Sequence, residues 1–115
     1  MRTRLMHVRA NVRDLQQAIE WYSRVLGFEV RGYWPPDDPD YADFLCQESA
    51  MFSVMEAKPV PTGARFNFSV EDVDAWWERF KDEVEVVEPL FDTAYGTRKF
   101  TIRDLDGNEL GFVKR

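Results

Sequence analysis

Residues 7–26, HVRANVRDLQQAIEWYSRVL, lie without a gap over residues 65–84, RFNFSVEDVDAWWERFKDEV. At this offset of 58 residues Asp72 falls on Asp14, Val70 on Val12 and Glu78 on Glu20. Val73, Trp77 and Phe80 fall on Leu15, Ile19 and Tyr22, apolar for apolar. Identity is low, but the binary pattern survives across two kinds of element, which marks an internal repeat. The chain therefore divides into two modules, about 4–57 and 64–115, joined by Lys58-Pro59-Val60-Pro61-Thr62-Gly63. Two prolines and a glycine suit a boundary between strands.

Each module opens with period-2 alternation, the mark of a strand with unlike faces. Met6, Val8, Ala10 and Val12 share one face, and Leu5, His7, Arg9 and Asn11 the other. In the second module Ala64, Phe66, Phe68 and Val70 oppose Arg65, Asn67 and Ser69. A helix follows each strand. Asp14 reads as an N-cap with Gln17 three residues on, a capping-box pattern. Leu15, Ala18, Ile19, Tyr22, Val25 and Leu26 then recur at helical spacing, and Gly27 is placed to end the helix. Asp72 caps the second helix, and Val73, Trp76, Trp77 and Phe80 form its apolar stripe. Three shorter strands are expected after each helix: Phe28–Trp34, Tyr41–Cys46 and Met51–Glu56, then Val84–Glu88, Thr97–Arg103 and Glu109–Lys114. The turn Asp104-Leu105-Asp106-Gly107-Asn108 puts a DG dipeptide between apolar runs, a strong hairpin signal. The expected fold is α+β: two βαβββ modules forming a curved mixed sheet, with helices on one face and a cavity on the other.

Composition bounds the function. The 115 residues suit one domain with a substantial core, and 44% hydrophobic content argues against disorder. Fifteen basic against twenty-one acidic residues give a net charge of −6, which opposes binding to a phosphate backbone, so no nucleic-acid partner is expected. No apolar run approaches a membrane span, so no membrane partner is expected either. Cys46 is the single cysteine and builds neither an internal disulfide nor a cysteine-rich zinc site. The alternating opening is unlike a signal peptide's apolar core, and a cytoplasmic location is expected.

HVRANVRDLQQAIEWYSRVLGFEV resembles the opening of the vicinal oxygen chelate superfamily, which holds glyoxalase I, bleomycin-resistance proteins, fosfomycin-resistance enzymes and extradiol dioxygenases. FTIRDLDGNELGFVKR resembles that superfamily's closing hairpin, with Leu105 where proline is usual. The resemblance spans the whole chain and implies the fold, while one fold hosts many activities. In metal-using members four cavity-facing positions supply ligands, and the resemblance puts them at His7, Ser53, Arg65 and Gly111. A divalent site of this kind needs two or three imidazole or carboxylate ligands. Only His7 is of that type, and Arg65 cannot deprotonate to become a ligand. No metal and no cofactor are expected. Glu109 shares the face of Gly111 and is a candidate replacement carboxylate, but Arg65 stands beside it. His7 reads either as a residual ligand or general base, or as a cavity histidine hydrogen-bonded within the pocket; the second is adopted. Cys46 reads as a small core residue on its strand.

The expected pocket floor carries His7, Arg9, Asn11, Ser53, Arg65, Asn67, Ser69 and Gly111, a cationic and hydrogen-bonding surface. Beside it runs the aromatic and acidic stretch Tyr33-Trp34-Pro35-Pro36-Asp37-Asp38-Pro39-Asp40-Tyr41, where Trp34 with Asp37 and Asp38 would favour a flat or cationic ligand. The alternative reading of that stretch is a rigid, solvated connector. Resemblance to bleomycin-resistance proteins implies a metal-free homodimer that binds a small molecule and acts by sequestration, antibiotic sequestration included. The alternative is a metal-dependent lyase, transferase or dioxygenase with displaced ligands. A third is a fold retained for protein association alone.

Overall fold

The structure, a computed structural model, describes residues 1–60 and 63–115; Pro61 and Thr62 of the expected linker lie outside the described residues. The chain forms two compact units, Met1–Val60 and Pro61–Arg115, matching the two modules. The first contains β1 (His7–Val12), α1 (Leu15–Arg24), β2 (Val30–Trp34), β3 (Tyr41–Phe44) and β4 (Met51–Glu56). The second contains β5 (Arg65–Ser69), α2 (Val73–Phe80), β6 (Glu85–Asp92), β7 (Arg98–Arg103) and β8 (Glu109–Lys114). Each builds its own four-stranded mixed sheet, in the orders β1-β4-β3-β2 and β5-β8-β7-β6. The outer pair is parallel in each, β1 with β4 and β5 with β8, and the remaining ladders are antiparallel.

Local chemistry explains the elements. The Asp14 side chain accepts from the Gln17 amide and the Asp72 side chain from the Ala75 amide, so each helix has one of its orphan donors satisfied. Gly27, at φ +72°, takes the left-handed backbone that lets the chain leave α1. α1 buries Leu15, Ala18, Trp21 and Tyr22. Trp21, outside the expected stripe, is buried because it stands edge-on to Tyr22 at 5.1 Å, while Ile19 is only half-buried. Tyr22 packs on Phe28, Phe44 and Phe52 at 5.2–5.7 Å. In the second module Phe112 stacks on Phe68 and Phe100, and Phe80 packs edge-on against Phe112. Trp76 and Trp77 flank that cluster against Phe112 and Phe100 but stay half-buried, at the edge of the core rather than within it.

The closing hairpin rests on Asp104. Its carboxylate accepts from the backbone N–H of Asp106 and Asn108, both at 2.9 Å, and from the Asn108 side chain at 2.8 Å. Gly107, at φ +84°, supplies the positive φ of the turn. Leu105 is exposed, so its departure from proline disturbs no packing. Two expectations change. β3 ends at Phe44, which leaves Cys46 beyond the strand as a half-buried free thiol rather than a core residue. β6 runs to Asp92, longer than expected, because two register shifts carry it past Pro89. Both are outcomes of cross-strand pairing, which a local apolar pattern does not encode.

Candidate functional site

In the first module the ladder sets the polar face in rows. Arg9 lies opposite Ser53, Ser53 opposite Asp43, and Asp43 opposite Gly32. Trp34 lies opposite Tyr41, so strand alternation puts it on this face and Tyr33 on the other. His7 Nε2 is 2.6 Å from Ser53 Oγ and 3.1 Å from Tyr41 Oη. Ser53 is fully buried and donates to the Val8 carbonyl at 3.1 Å, so the His7 Nε2–H donates to Ser53 Oγ in that arrangement. Tyr41 donates in turn to Asp43 at 3.5 Å, and Arg31 grips the same carboxylate through Nε and Nη2 at 3.2 and 3.1 Å. Arg9 donates to Met55 Sδ. The face is a connected chain of donors and acceptors with an exposed imidazole at one end.

The second module carries an ion-pair network in the equivalent place. Arg65 donates through Nε and Nη2 to Glu109 Oε1 at 3.0 and 2.9 Å, and through Nη1 to Glu88 Oε1 at 2.8 Å. Thr101, fully buried, donates to the same Glu88 oxygen at 2.7 Å. The Glu88 carboxyl is held below the ordinary glutamate range, first by that Thr101 hydrogen bond and then by the charges of Arg65 and Lys99, against some desolvation. Arg103 bridges Glu85 and approaches Glu109. Gly111 is buried beneath Asn67; a Cβ there would stand 2.0 Å from Asn67 Oδ1, so glycine is what lets the amide lie across the strand.

Of the expected residues, His7 and Ser53 are thus joined, as are Asn67 and Gly111, while Arg9 lies one ladder step across from Ser53. Trp34 is 64% exposed at the end of β2. Asp37 and Asp38 are exposed and make no ion pair or hydrogen bond among the described residues. Sequence reading missed Arg31, Tyr41 and Asp43 in the first module, and Glu88, Lys99 and Thr101 in the second. A signal for four of them was present: Tyr41 and Asp43 alternate with apolar residues, and Lys99 and Thr101 stand 58 residues further on. Among the described residues, no group of three or more histidine, cysteine, aspartate or glutamate side chains is placed to hold a metal ion.

The Glyoxalase/Bleomycin resistance protein/Dioxygenase superfamily profile matches residues 4–112. The chain belongs to this superfamily. Solved structures agree with the assignment. TioX from Micromonospora sp. ML1 is 26% identical, with a TM-score of 0.77 over 95% of this chain and 96% of that one. A superfamily member from Sphaerobacter thermophilus DSM 20745 is 18% identical, with a TM-score of 0.78 over 98% of each. Lactoylglutathione lyase from Agrobacterium tumefaciens is 22% identical, with a TM-score of 0.76 over 98% of this chain and 94% of that one. No curated protein matches the chain in sequence. Among the described residues no helix is long and apolar enough to cross a membrane.

Proposed function

We propose that this superfamily member is a metal-free small-molecule-binding protein of the cytoplasm that acts by sequestration, as in the bleomycin-resistance branch. The observation that carries the reading is Arg65. At a position where metal-using relatives place a ligand, its guanidinium occupies Glu88 and Glu109, the two carboxylates nearest to it. A divalent ion there would have to displace a permanent positive charge that already neutralises both. At the other three positions stand a glycine, a buried hydroxyl donating to backbone, and His7, whose Nε2 is engaged by Ser53 and Tyr41. This donor set does not fit a divalent site.

The purified protein should carry no stoichiometric zinc, nickel, iron or manganese, and chelator should leave its melting temperature unchanged. One equivalent of metal per chain by elemental analysis would overturn the reading and put a metal-dependent lyase, transferase or dioxygenase in its place. Binding itself is testable through Trp34: a flat ligand stacking there should quench tryptophan fluorescence, and Trp34→Ala should abolish the quench without unfolding the protein. A charged-aromatic library that produces no quench removes the role given to Trp34.

Assembly as a C₂ homodimer belongs to the same proposal. Each four-stranded sheet ends in two edge strands, and two-fold pairing is a common way to cover such edges. Light scattering should return twice the chain mass at micromolar concentration; a monomer there refutes the pairing.

A further inference from the structure

The second module holds a cavity of about 260 Å³ at the end of its polar face away from Arg65, lined among others by Asn67, Ser69, Tyr95, Thr97, Lys99 and Val113. That volume is near the lower end of small-molecule pockets, roughly 300 Å³. Lys99 decides its chemistry. The residue is only 8% exposed, yet among the described residues its ammonium has one charged partner, Glu88 Oε1 at 3.6 Å, longer than a full-strength hydrogen bond. That oxygen already accepts from Arg65 and Thr101 at 2.8 and 2.7 Å, so it has little capacity left for the lysine. An ammonium held by a single long ion pair, on the wall of a cavity, has donors left for an anion. Arg115 at the same cavity adds a second cation, and among the described residues no carboxylate side chain lines it.

The rim is built as well. Thr93 and Thr97 tie the β6–β7 turn together: the Thr97 amide donates to Thr93 Oγ1 at 3.0 Å, and the two hydroxyls are 2.8 Å apart. Gly96, at φ +93°, supplies the turn's left-handed residue. The clamped turn presents Tyr95, 76% exposed, at the cavity edge, where its ring is free to stack. Asn67 and Ser69 offer neutral hydrogen-bonding groups across from Lys99. In the first module the residue equivalent to Lys99 is Tyr41, which is spent on His7 and Asp43, and a cation on that face, Arg9, donates to Met55 Sδ.

We propose that this cavity binds the carboxylate of a small aromatic monoanion, with Lys99 as the charge partner and Tyr95 as the stacking surface. The proposal rests on the small-molecule-binding reading and names its ligand class. Glu88 beside Lys99 offsets part of the positive charge, which matches a single negative charge better than the double charge of a phosphate.

The test is an amide NMR titration of the full chain with benzoate, benzylamine and inorganic phosphate as separate probes. Benzoate should shift the amides of Ser69, Tyr95, Thr97 and Val113. Lys99→Met, which keeps the stem's bulk, should weaken benzoate about tenfold or more. Lys99→Arg should retain most of the binding, and Tyr95→Ala should weaken it about fivefold. The proposal is overturned if benzoate leaves those amides unmoved, if it binds folded Lys99→Met as well as the parent, or if phosphate binds there more tightly. Benzylamine bound on the chain, with benzoate silent, overturns this site yet leaves the broader binding reading intact. Silence from every probe, together with no fluorescence quench from the charged-aromatic library, removes both.

Discussion

The two modules share a backbone plan and differ in how they spend their charges. Every paired position in the β1–β4 and β3–β4 ladders except Val12 with Glu56 recurs 58 residues later in β5–β8 and β7–β8: His7 with Met51 becomes Arg65 with Glu109, and Tyr41 with Met55 becomes Lys99 with Val113. Even the bulge recurs. In β2 the register slips between the residues facing Phe44 and Asp43, and in β6 between those facing Ile102 and Thr101. Yet the first module's polar face is a hydrogen-bond chain ending in an exposed imidazole, with one ion pair from Arg31 to Asp43. The second module centres on a guanidinium shared by two carboxylates, with a lysine paired to one of them at longer range beside a cavity. A duplicated scaffold thus fixes where polar side chains stand, while their identities decide whether they satisfy one another or remain available to a ligand.

The comparison has one strand of likeness that should hold firmly, the core. Phe52→Ala in the first module and Phe100→Ala in the second each remove a fully buried ring from an aromatic cluster. Each should cost about 3–5 kcal/mol by denaturant unfolding. A large cost for one and a negligible cost for the other would break the equivalence of the two cores.

The difference between the polar faces predicts a smaller effect that is unequal between the modules. Arg65→Met leaves Glu88 and Glu109 without their shared cation; allowing for side chains one-quarter to one-third exposed, about 1 kcal/mol of stability should be lost. His7→Ala removes an exposed ring from the equivalent position and should cost about half as much. Equal losses would mean that the ion-pair network is no more structural than the histidine chain. Arg65→His sharpens the point: it should create measurable zinc affinity in calorimetry by uncovering the two carboxylates.

Acid should tell the modules apart more gently. The folded-state value of Glu88 is depressed, so the stability it contributes is present above its unfolded-state value and is lost as pH falls through the folded one. Urea midpoints should therefore drop as pH falls through and below the ordinary glutamate range, and Glu88→Gln should flatten that drop. An unaltered slope in that variant would show that Glu88 does not contribute. Smallest of all is Trp34→Ala: with the ring 64% exposed, stability should change by less than about 0.5 kcal/mol even as ligand quenching disappears.

Much of this was legible in the chain itself. The repeat, both helices with their aspartate caps, the bounds of β4 and β8 and the DG hairpin follow from periodicity and turn chemistry that act over a few residues. So did the polar faces of the opening strands, since alternation sets His7 and Arg65 opposite their apolar neighbours. The roles on those faces were less legible. Arg65 read as a free floor cation because its partner Glu88 lies 23 positions away, on a strand expected to end there. Asp43 drew no attention because its partner Arg31 meets it only across a ladder.

The sequence by itself determined the α+β modules and the polar and apolar sides of their strands. Tertiary structure alone decided where the charges go, and the β6 bulge shows why. Continued from Val86 opposite Ile102, an unbroken ladder would set Glu88 opposite Phe100, on the core side; the register shift sets it opposite Thr101 instead. One extra residue in the strand moves a carboxylate from the apolar face to the polar one, where it takes up Arg65 closely and Lys99 at longer range. No local pattern carries that information, because a bulge depends on the strand it pairs with.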